Sequence, residues 1–265
     1  MEGKNIKIIA LIQARMGSTR LSNKVLKEVD GKPMIGIIID RIKQAKEING
    51  IVIATSDKEK DDAIEKFAEK INTECFRGSE EDLLDRLYNA GKKYGADAIL
   101  RLTGDNPIID EKIIDKVART FRKQYGKISL VSTCVPMTFP EGLSMELIDI
   151  KTLEKLHNEL KTPAEREGFA VIVHMKKNEK IYLRHTIASD TDQSRFRLSV
   201  DYPEDFHVVE KIIKHFKKNN QQYFSINDVV HFLESHPNIL KINSQKQDRS
   251  KYPFVADDNA VQKAR

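Results

Sequence analysis

Over its first 130 residues the chain alternates short strand-forming runs with amphipathic stretches, and few folds accept that alternation. Strands are expected over residues 6–12, 51–55, 74–77 and 98–102. Pro33 opens a helix in which Ile35, Ile38, Ile42 and Ala45 share one face. Asp57 is expected to cap the next helix, whose inner stripe is Ile64, Phe67 and Ala68. Ser79 and Asp82 start a third, carrying Leu83, Leu87 and Ala90, and residues 110–123 form a fourth. This β-α-β-α order implies a mostly parallel sheet with helices on both faces. Ligands of such sheets bind beyond the carboxyl ends of the strands, so residues just after each strand carry the functional information.

The pattern changes after Ser129. Strands are expected over 130–134, 143–150, 181–187 and 196–200, with helices over 152–160 and 164–175. The last two strands suggest a hairpin across the polar linker 189–193. Helices follow from Pro203 to about Lys217 and over 226–233, and the polar tail from Asn243 is expected to be loosely held.

Composition excludes several classes. Lys and Arg number 45 against 40 Asp and Glu, a net charge of +5 with no dominant basic block, which argues against a nucleic-acid binder. No apolar run approaches the ~20 residues of a membrane span. The apolar run after the start is too short for a signal peptide. Cys75 and Cys134 are the only cysteines and sit in unrelated contexts. That excludes a disulfide scaffold and a cysteine-based zinc site, and makes the reducing cytoplasm the expected location.

Three segments carry the chemistry. The stretch 13–24 follows the first strand and holds Arg15, Arg20 and Lys24 around a Gly17-Ser18 turn. A loop so placed can aim backbone N–H groups and cationic heads at a polyphosphate, although it matches neither G-x-x-x-x-G-K nor G-x-G-x-x-G; the alternative is a solvated basic turn. At 101–107 a buried strand ends in Thr103-Gly104-Asp105, where a carboxylate can hold Mg²⁺ on a nucleotide phosphate or simply form a turn. At 197–205 another strand ends at Asp201, before a helix-opening Pro203; it is either a second metal carboxylate or a turn residue. Thr55, Ser56, Arg77, Gly78 and Ser79 also follow strands and are candidates for base and ribose contacts. Asp82 and Arg86, which follow, are further candidates for lining a nucleoside pocket, although Arg86 is expected rather to pair with nearby carboxylates.

These segments together resemble the cytidylyltransferases of the spore coat polysaccharide protein F type, relatives of the enzymes that make CMP-ulosonic acids such as CMP-Kdo and CMP-sialic acid. The resemblance runs in family order through QARMGSTRLSNKVL (13–26), GKPMI (31–35), VIATSD (52–57), FRGSEEDLLDR (76–86), RLTGDNPIID (101–110), FPEGLSMEL (139–147), EREG (165–168) and RLSVDYPEDF (197–206). It covers residues 6 to about 215. It implies a Rossmann-like, GT-A-like three-layer α/β nucleotidyltransferase fold with a small α+β insertion or dimerisation segment. It also implies CTP as donor, Mg²⁺ as cofactor, a sugar-type acceptor and a homodimer. In the family the loop matching Gln13, Ala14, Arg15, Gly17, Ser18, Arg20 and Lys24 holds the triphosphate, and Asp105 and Asp201 match the metal ligands. Arg15, Lys24, Asp105 and Asp201 are therefore the expected catalytic set.

The chain departs from the family in having Ser22-Asn23 after Arg20-Leu21, Asn106 after Asp105, and Gly168 where the family often has His. The last bears on the acceptor, for whose carboxylate Arg166 and Arg184 are candidate cations. The expected organisation is one nucleotidyltransferase unit over 1–242, with 129–200 as acceptor or dimerisation subregion, and a tail over 243–265. Two other readings are a GT-A glycosyltransferase using a finished nucleotide sugar, which usually carries D-x-D where this chain has Thr103-Gly104-Asp105, and a non-catalytic nucleotide-binding paralogue.

Overall fold

The computed structural model describes residues 6–246. The chain order is β1 (Ile8–Gln13), β2 (Glu28–Val29), β3 (Lys32–Pro33), α1 (Met34–Ile42), β4 (Gly50–Ser56), α2 (Asp62–Lys70), β5 (Glu74–Gly78), α3 (Leu83–Lys93), β6 (Ala98–Thr103) and α4 (Glu111–Lys123). There follow β7 (Leu130–Ser132), β8 (Glu146–Asp149), α5 (Ile150–Glu159), α6 (Pro163–Arg166), α7 (Gly168–Lys177), β9 (Arg184–Thr186), α8 (Pro203–Lys218), α9 (Ile226–Ser235) and α10 (Pro237–Leu240).

Seven strands form one sheet in the order β5-β4-β1-β6-β8-β7-β9, and β2 pairs with β3 separately. β5, β4, β1 and β6 are parallel, β8 runs antiparallel to both neighbours, and β9 is parallel to β7. Alternate residues of β1 serve opposite faces. Ile8, Ala10 and Ile12 join the core under α1, α4, α8 and α9, while Ile9 and Leu11 join the core under α3, α5 and α7. A strand covered on both sides must be apolar throughout, which is why residues 8–12 read as a continuous run. From β1 the chain moves to β4 and β5 on one side of the sheet, then crosses back to β6 on the other side of β1. Their carboxyl ends therefore form the switch point at which such sheets bind ligands.

The mostly parallel sheet agrees with the sequence, but the second half differs in detail. Residues 181–187 and 196–200 do not form a hairpin. β9 pairs with β7, while the extended stretch around Arg197 lies against Glu141, with Glu141 N–H donating to the Phe196 carbonyl at 2.9 Å and Leu198 N–H to the Glu141 carbonyl at 2.7 Å. Gly142, at φ 111°, permits this approach, because a Cβ there would lie 2.7 Å from Ser199 N. The expected 164–175 helix is two, α6 and α7, broken at the extended Glu167. Asp57 caps no helix; a 3-10 turn over 59–61 intervenes and α2 starts at Asp62. Asn243, the start of the expected loose tail, is 2% exposed and donates from Nδ2 to the Arg197 carbonyl at 3.1 Å and to Asp205 Oδ1 at 2.9 Å. Residues 247–265 of that tail lie outside the described residues.

Candidate active site

A cleft of about 300 Å³ opens at the switch point, lined by both ends of the 13–24 loop, by Thr103 to Asp105, by Asp201, and by Leu83 and Arg86 of α3. Gly104 sets its floor. Its N–H donates to the Gln13 carbonyl at 2.8 Å, and a Cβ there would press to 3.1 Å on both that oxygen and Ala14 Cβ. The turn after β6 thus seats directly on the start of the loop after β1. Gln13 is held from the side, its Oε1 accepting from Arg101 Nε at 2.9 Å, while Arg101 pairs with the buried Glu146 at 2.9 Å.

Lys24 joins the two strand-end aspartates. Its Nζ donates to Asp105 Oδ2 at 2.7 Å, to Asp201 Oδ1 at 2.9 Å and to the Val200 carbonyl at 3.0 Å. Burial works against this ammonium, but Asp105 and Asp201 outweigh it and hold its pKa above the ordinary lysine value. Asp201 shows the mirror image. Burial raises its pKa, and Lys24, Arg20 and Arg197 together bring it below the usual carboxylate range. Arg20 adds a 2.9 Å contact to Asp201 Oδ1 and lies over the Tyr202 ring.

Beneath Asp201 is a buried charge network. The Arg197 guanidinium, 5% exposed, reaches Asp201 Oδ2 at 3.2 Å, both oxygens of Asp205 at 2.9 and 3.0 Å, and Glu141. Asp205 is fully buried and its Oδ2 also accepts the N–H groups of Asp201 and Tyr202, each at 3.0 Å. The Asp201 backbone and carboxylate are therefore both fixed. Val200 N–H donates to the Asp105 carbonyl at 2.9 Å, which ties the two aspartate-bearing segments together.

The opposite end of the cleft is different. Arg86 is 5% exposed, donates from one terminal nitrogen to the Ser79 carbonyl at 2.5 Å, and leaves its buried Nε without a hydrogen-bond partner among the described residues. No carboxylate of the described residues lies within ion-pair distance of it, contrary to the pairing expected from sequence. Burial, and then the charge of Arg15, pull its pKa below the ordinary arginine value.

Of the expected site residues, the structure brings Gln13, Ala14, Arg15, Gly17, Ser18, Arg20, Lys24, Asp105 and Asp201 together around this cleft. It does not place Thr55, Ser56, Arg77, Gly78 or Ser79 in the lining. Thr55 and Ser56 are fully buried, and the Ser56 N–H and hydroxyl are taken by Asp61. Arg77 is turned to Asp62 at 2.6 Å and Glu65 at 2.7 Å. The Gly78 carbonyl accepts from Asp57 N–H, and the Ser79 hydroxyl and carbonyl serve Asp82 N–H and Arg86. Arg166 and Arg184, the candidates for an acceptor carboxylate, pair with Asp82 at 2.6 Å and Glu179 at 2.7 Å.

Sequence reasoning passed over Asp61. It is fully buried, and its Oδ1 accepts from Met16 N–H at 2.6 Å while Oδ2 serves Ser56, which pins the loop to the end of β4. Its signal was a carboxylate just before the helix that follows β4, hidden within the charged run 57–62.

With this geometry in hand, the comparisons with known proteins decide the family. The family model described as Cytidylyltransferase matches residues 9–247. The chain belongs to the cytidylyltransferase family. It is 29% identical to the spore coat polysaccharide biosynthesis protein SpsF of Bacillus subtilis, over 87% of this chain and 95% of that one. It shares 33% identity and a TM-score of 0.83 with the structure of a cytidylyltransferase from Leptospira borgpetersenii, over 89% of this chain and 97% of that one. The structure of CMP:2-keto-3-deoxy-manno-octonic acid synthetase complexed with CTP shares the fold at a TM-score of 0.59 and 17% identity, over 79% and 99% of the two chains. This cytidylyltransferase is thus an enzyme of the CTP-dependent nucleotidyltransferase class, and the resemblance drawn from its motifs holds. Among its described residues, no helix is long and apolar enough to cross a membrane.

Proposed function

We propose that this cytidylyltransferase moves CMP from CTP to an oxygen of a sugar-type acceptor, a ulosonic acid or a sugar phosphate, releasing pyrophosphate for surface polysaccharide synthesis in the cytoplasm. The observation that carries the reading is the convergence of Lys24, Asp105 and Asp201 at the switch-point cleft. An acceptor oxygen attacks the α-phosphorus in line as the bond to the β-phosphate oxygen breaks. Such transfers need positioning and charge neutralisation more than covalent catalysis. The 13–20 loop cradles the triphosphate, with Arg15 and Lys24 on the leaving phosphates.

The lining supports a metal requirement. Arg15, Arg20, Lys24 and Arg86 are equalled in number by Glu80, Glu167, Asp105 and Asp201, so the cleft offers a polyanion no net surplus of positive charge. Asp105 and Asp201 are hard oxygen donors already converging on one cation. Among the described residues no cluster of three or more metal-ligating side chains exists, and Mg²⁺ is commonly held by one or two carboxylates plus substrate phosphates. The donor set therefore fits Mg²⁺ carried on the nucleotide. Bound there, it would neutralise charge on the phosphate oxygens. The rest falls to the chain: Arg197 and Asp205 keep Asp201 in place, and Gly104 keeps the β6 turn against the loop.

The same reading keeps one nucleotidyltransferase unit over 1–242, with 129–200 serving acceptor binding and homodimer contact. Ile181 and Leu183, 57% and 54% exposed beside the short β9, support a contact there. Sizing in solution tests it.

The test of function is Mg²⁺-dependent pyrophosphate release from CTP, UTP, ATP and GTP against ulosonic acids and sugar phosphates. Release from CTP with an acceptor, and no release from CTP alone, is expected. Lys24→Ala should cost ~2–4 kcal/mol of barrier, and Asp105→Ala should abolish turnover in a folded protein. Full activity of Asp105→Ala overturns the assignment, and transfer only from a finished nucleotide sugar would make the enzyme a glycosyltransferase.

A further inference from the structure

We infer that Lys24 and a divalent cation compete for the same pair of carboxylates, so that the Lys24 ammonium keeps free metal out of the site until it is drawn away. This rests on the metal role proposed for Asp105 and Asp201. An ammonium has three N–H donors. All three of Lys24 are used, on Asp105 Oδ2, Asp201 Oδ1 and the Val200 carbonyl. None is left for a phosphate oxygen, so Lys24 can hold a phosphate only by giving up a carboxylate.

Seen from Asp201 the site is equally full. Asp201 Oδ1 takes both Lys24 and Arg20, and Oδ2 takes Arg197. Arg197 is immobilised by Glu141 and Asp205 in the interior. Arg20, with its side chain 44% exposed, reaches Asp201 but not Asp105, and otherwise lies against Tyr202. Among the described residues Lys24 is the one cation that spans both aspartates, and its flexible four-carbon stem rises from the loop that is to meet the phosphates. A metal joining Asp105 to Asp201 must take its place. A triphosphate offers the displaced ammonium new oxygens and brings the metal, so nucleotide and metal are expected to enter as a linked pair.

The test uses Mn²⁺ as probe, the full chain, and no nucleotide. Mn²⁺ affinity is measured by electron paramagnetic resonance for the wild type, Lys24→Met and Arg20→Met. Lys24→Met should bind Mn²⁺ at least tenfold tighter than the wild type. Arg20→Met, which removes a cation from one carboxylate but not from between the two, should gain threefold or less. Adding Asp105→Asn to Lys24→Met should abolish the gain. A Lys24→Met affinity equal to or weaker than that of Arg20→Met overturns the competition and leaves only a general charge effect. Should Lys24→Met not fold, Lys24→Gln replaces it with the same criterion.

A second measurement needs no variant. Acetylation of Lys24 by an amine-reactive ester, followed by mass spectrometry, should rise at least threefold once Mn²⁺ is raised high enough to saturate the wild-type site, because metal bound there releases the amine. Unchanged or reduced labelling overturns the inference. Neither readout involves turnover. If no nucleotide supports pyrophosphate release, the function fails while the competition is still decided; if Lys24→Met gains nothing, the competition fails and the function stands.

Discussion

The two ends of the cleft handle buried charge in opposite ways. At the aspartate end every cation is matched: Lys24 with Asp105 and Asp201, Arg20 with Asp201, Arg197 with Glu141, Asp201 and Asp205. At the α3 end Arg86 is as deeply buried as Arg197 yet has one carbonyl and an unpartnered Nε. A matched network is a structural element, since removing one member strands the others in a poorly solvating interior. An unmatched buried cation is a standing cost that stability alone does not explain. The first end holds its own shape, and under the proposed function the second is the one that receives an anion.

The largest effect should come from breaking the matched end. Asp205→Ala removes two of the four hydrogen bonds that Arg197 makes to carboxylates and the acceptor of the Asp201 and Tyr202 N–H groups. It should cost about 3–5 kcal/mol of stability, lowering the thermal midpoint by about 10 °C. A loss under 1 kcal/mol would show that the network is not structural. Arg86→Met should do the reverse. Stability without ligand should hold or rise by about 1 kcal/mol, because a poorly compensated charge is removed. CTP affinity should fall about tenfold, or ~1.4 kcal/mol, by calorimetry. If CTP affinity holds and the acceptor KM rises instead, the anion at Arg86 belongs to the acceptor. If the variant loses more than 2 kcal/mol of stability, the contrast between the two ends disappears.

Most of the aspartate end was legible in the sequence, because its two carboxylates sit where a continuous apolar run stops, as at Leu102 before Thr103-Gly104-Asp105 and at Val200 before Asp201. The sheet was legible for the same reason, strands buried on both faces being the strongest pattern in the chain. The pairing of 196–200 was not. Phe196 to Val200 alternates like a strand, but its partner is fixed by Gly142, whose lack of a side chain lets residues 140–142 lie alongside it. Thr55 and Ser56 looked like ligand contacts because they end a strand; their burial is decided by Asp61, whose inward turn nothing in the charged run 57–62 distinguishes. Arg86 looked like an arginine paired with nearby carboxylates, since helical spacing alone does not tell a paired arginine from an unpaired one.

The smallest effect concerns pH and compares the ends once more. The Asp201 pKa is lowered in the folded chain, burial being outweighed by Lys24, Arg20 and Arg197. Its stabilising contribution is therefore present above the unfolded aspartate value of ~3.9 and is lost as the pH falls through the folded value. Lys24 has the opposite sign. Its raised pKa gives a contribution that is complete below the unfolded lysine value of ~10.4 and is lost as the pH rises through the folded value. The aspartate end is thus at full strength between those limits. Arg86, an arginine, stays charged throughout and adds no slope of its own. Asp201→Asn should consequently melt below the wild type at pH 7, with a gap that narrows steadily below about pH 4. Thermal melts from neutral to strongly acidic pH measure it directly. A gap that persists unchanged into strong acid would mean that the stability lost in Asp201→Asn does not come from the charge on Asp201, and that the matched end is held by packing around Arg197.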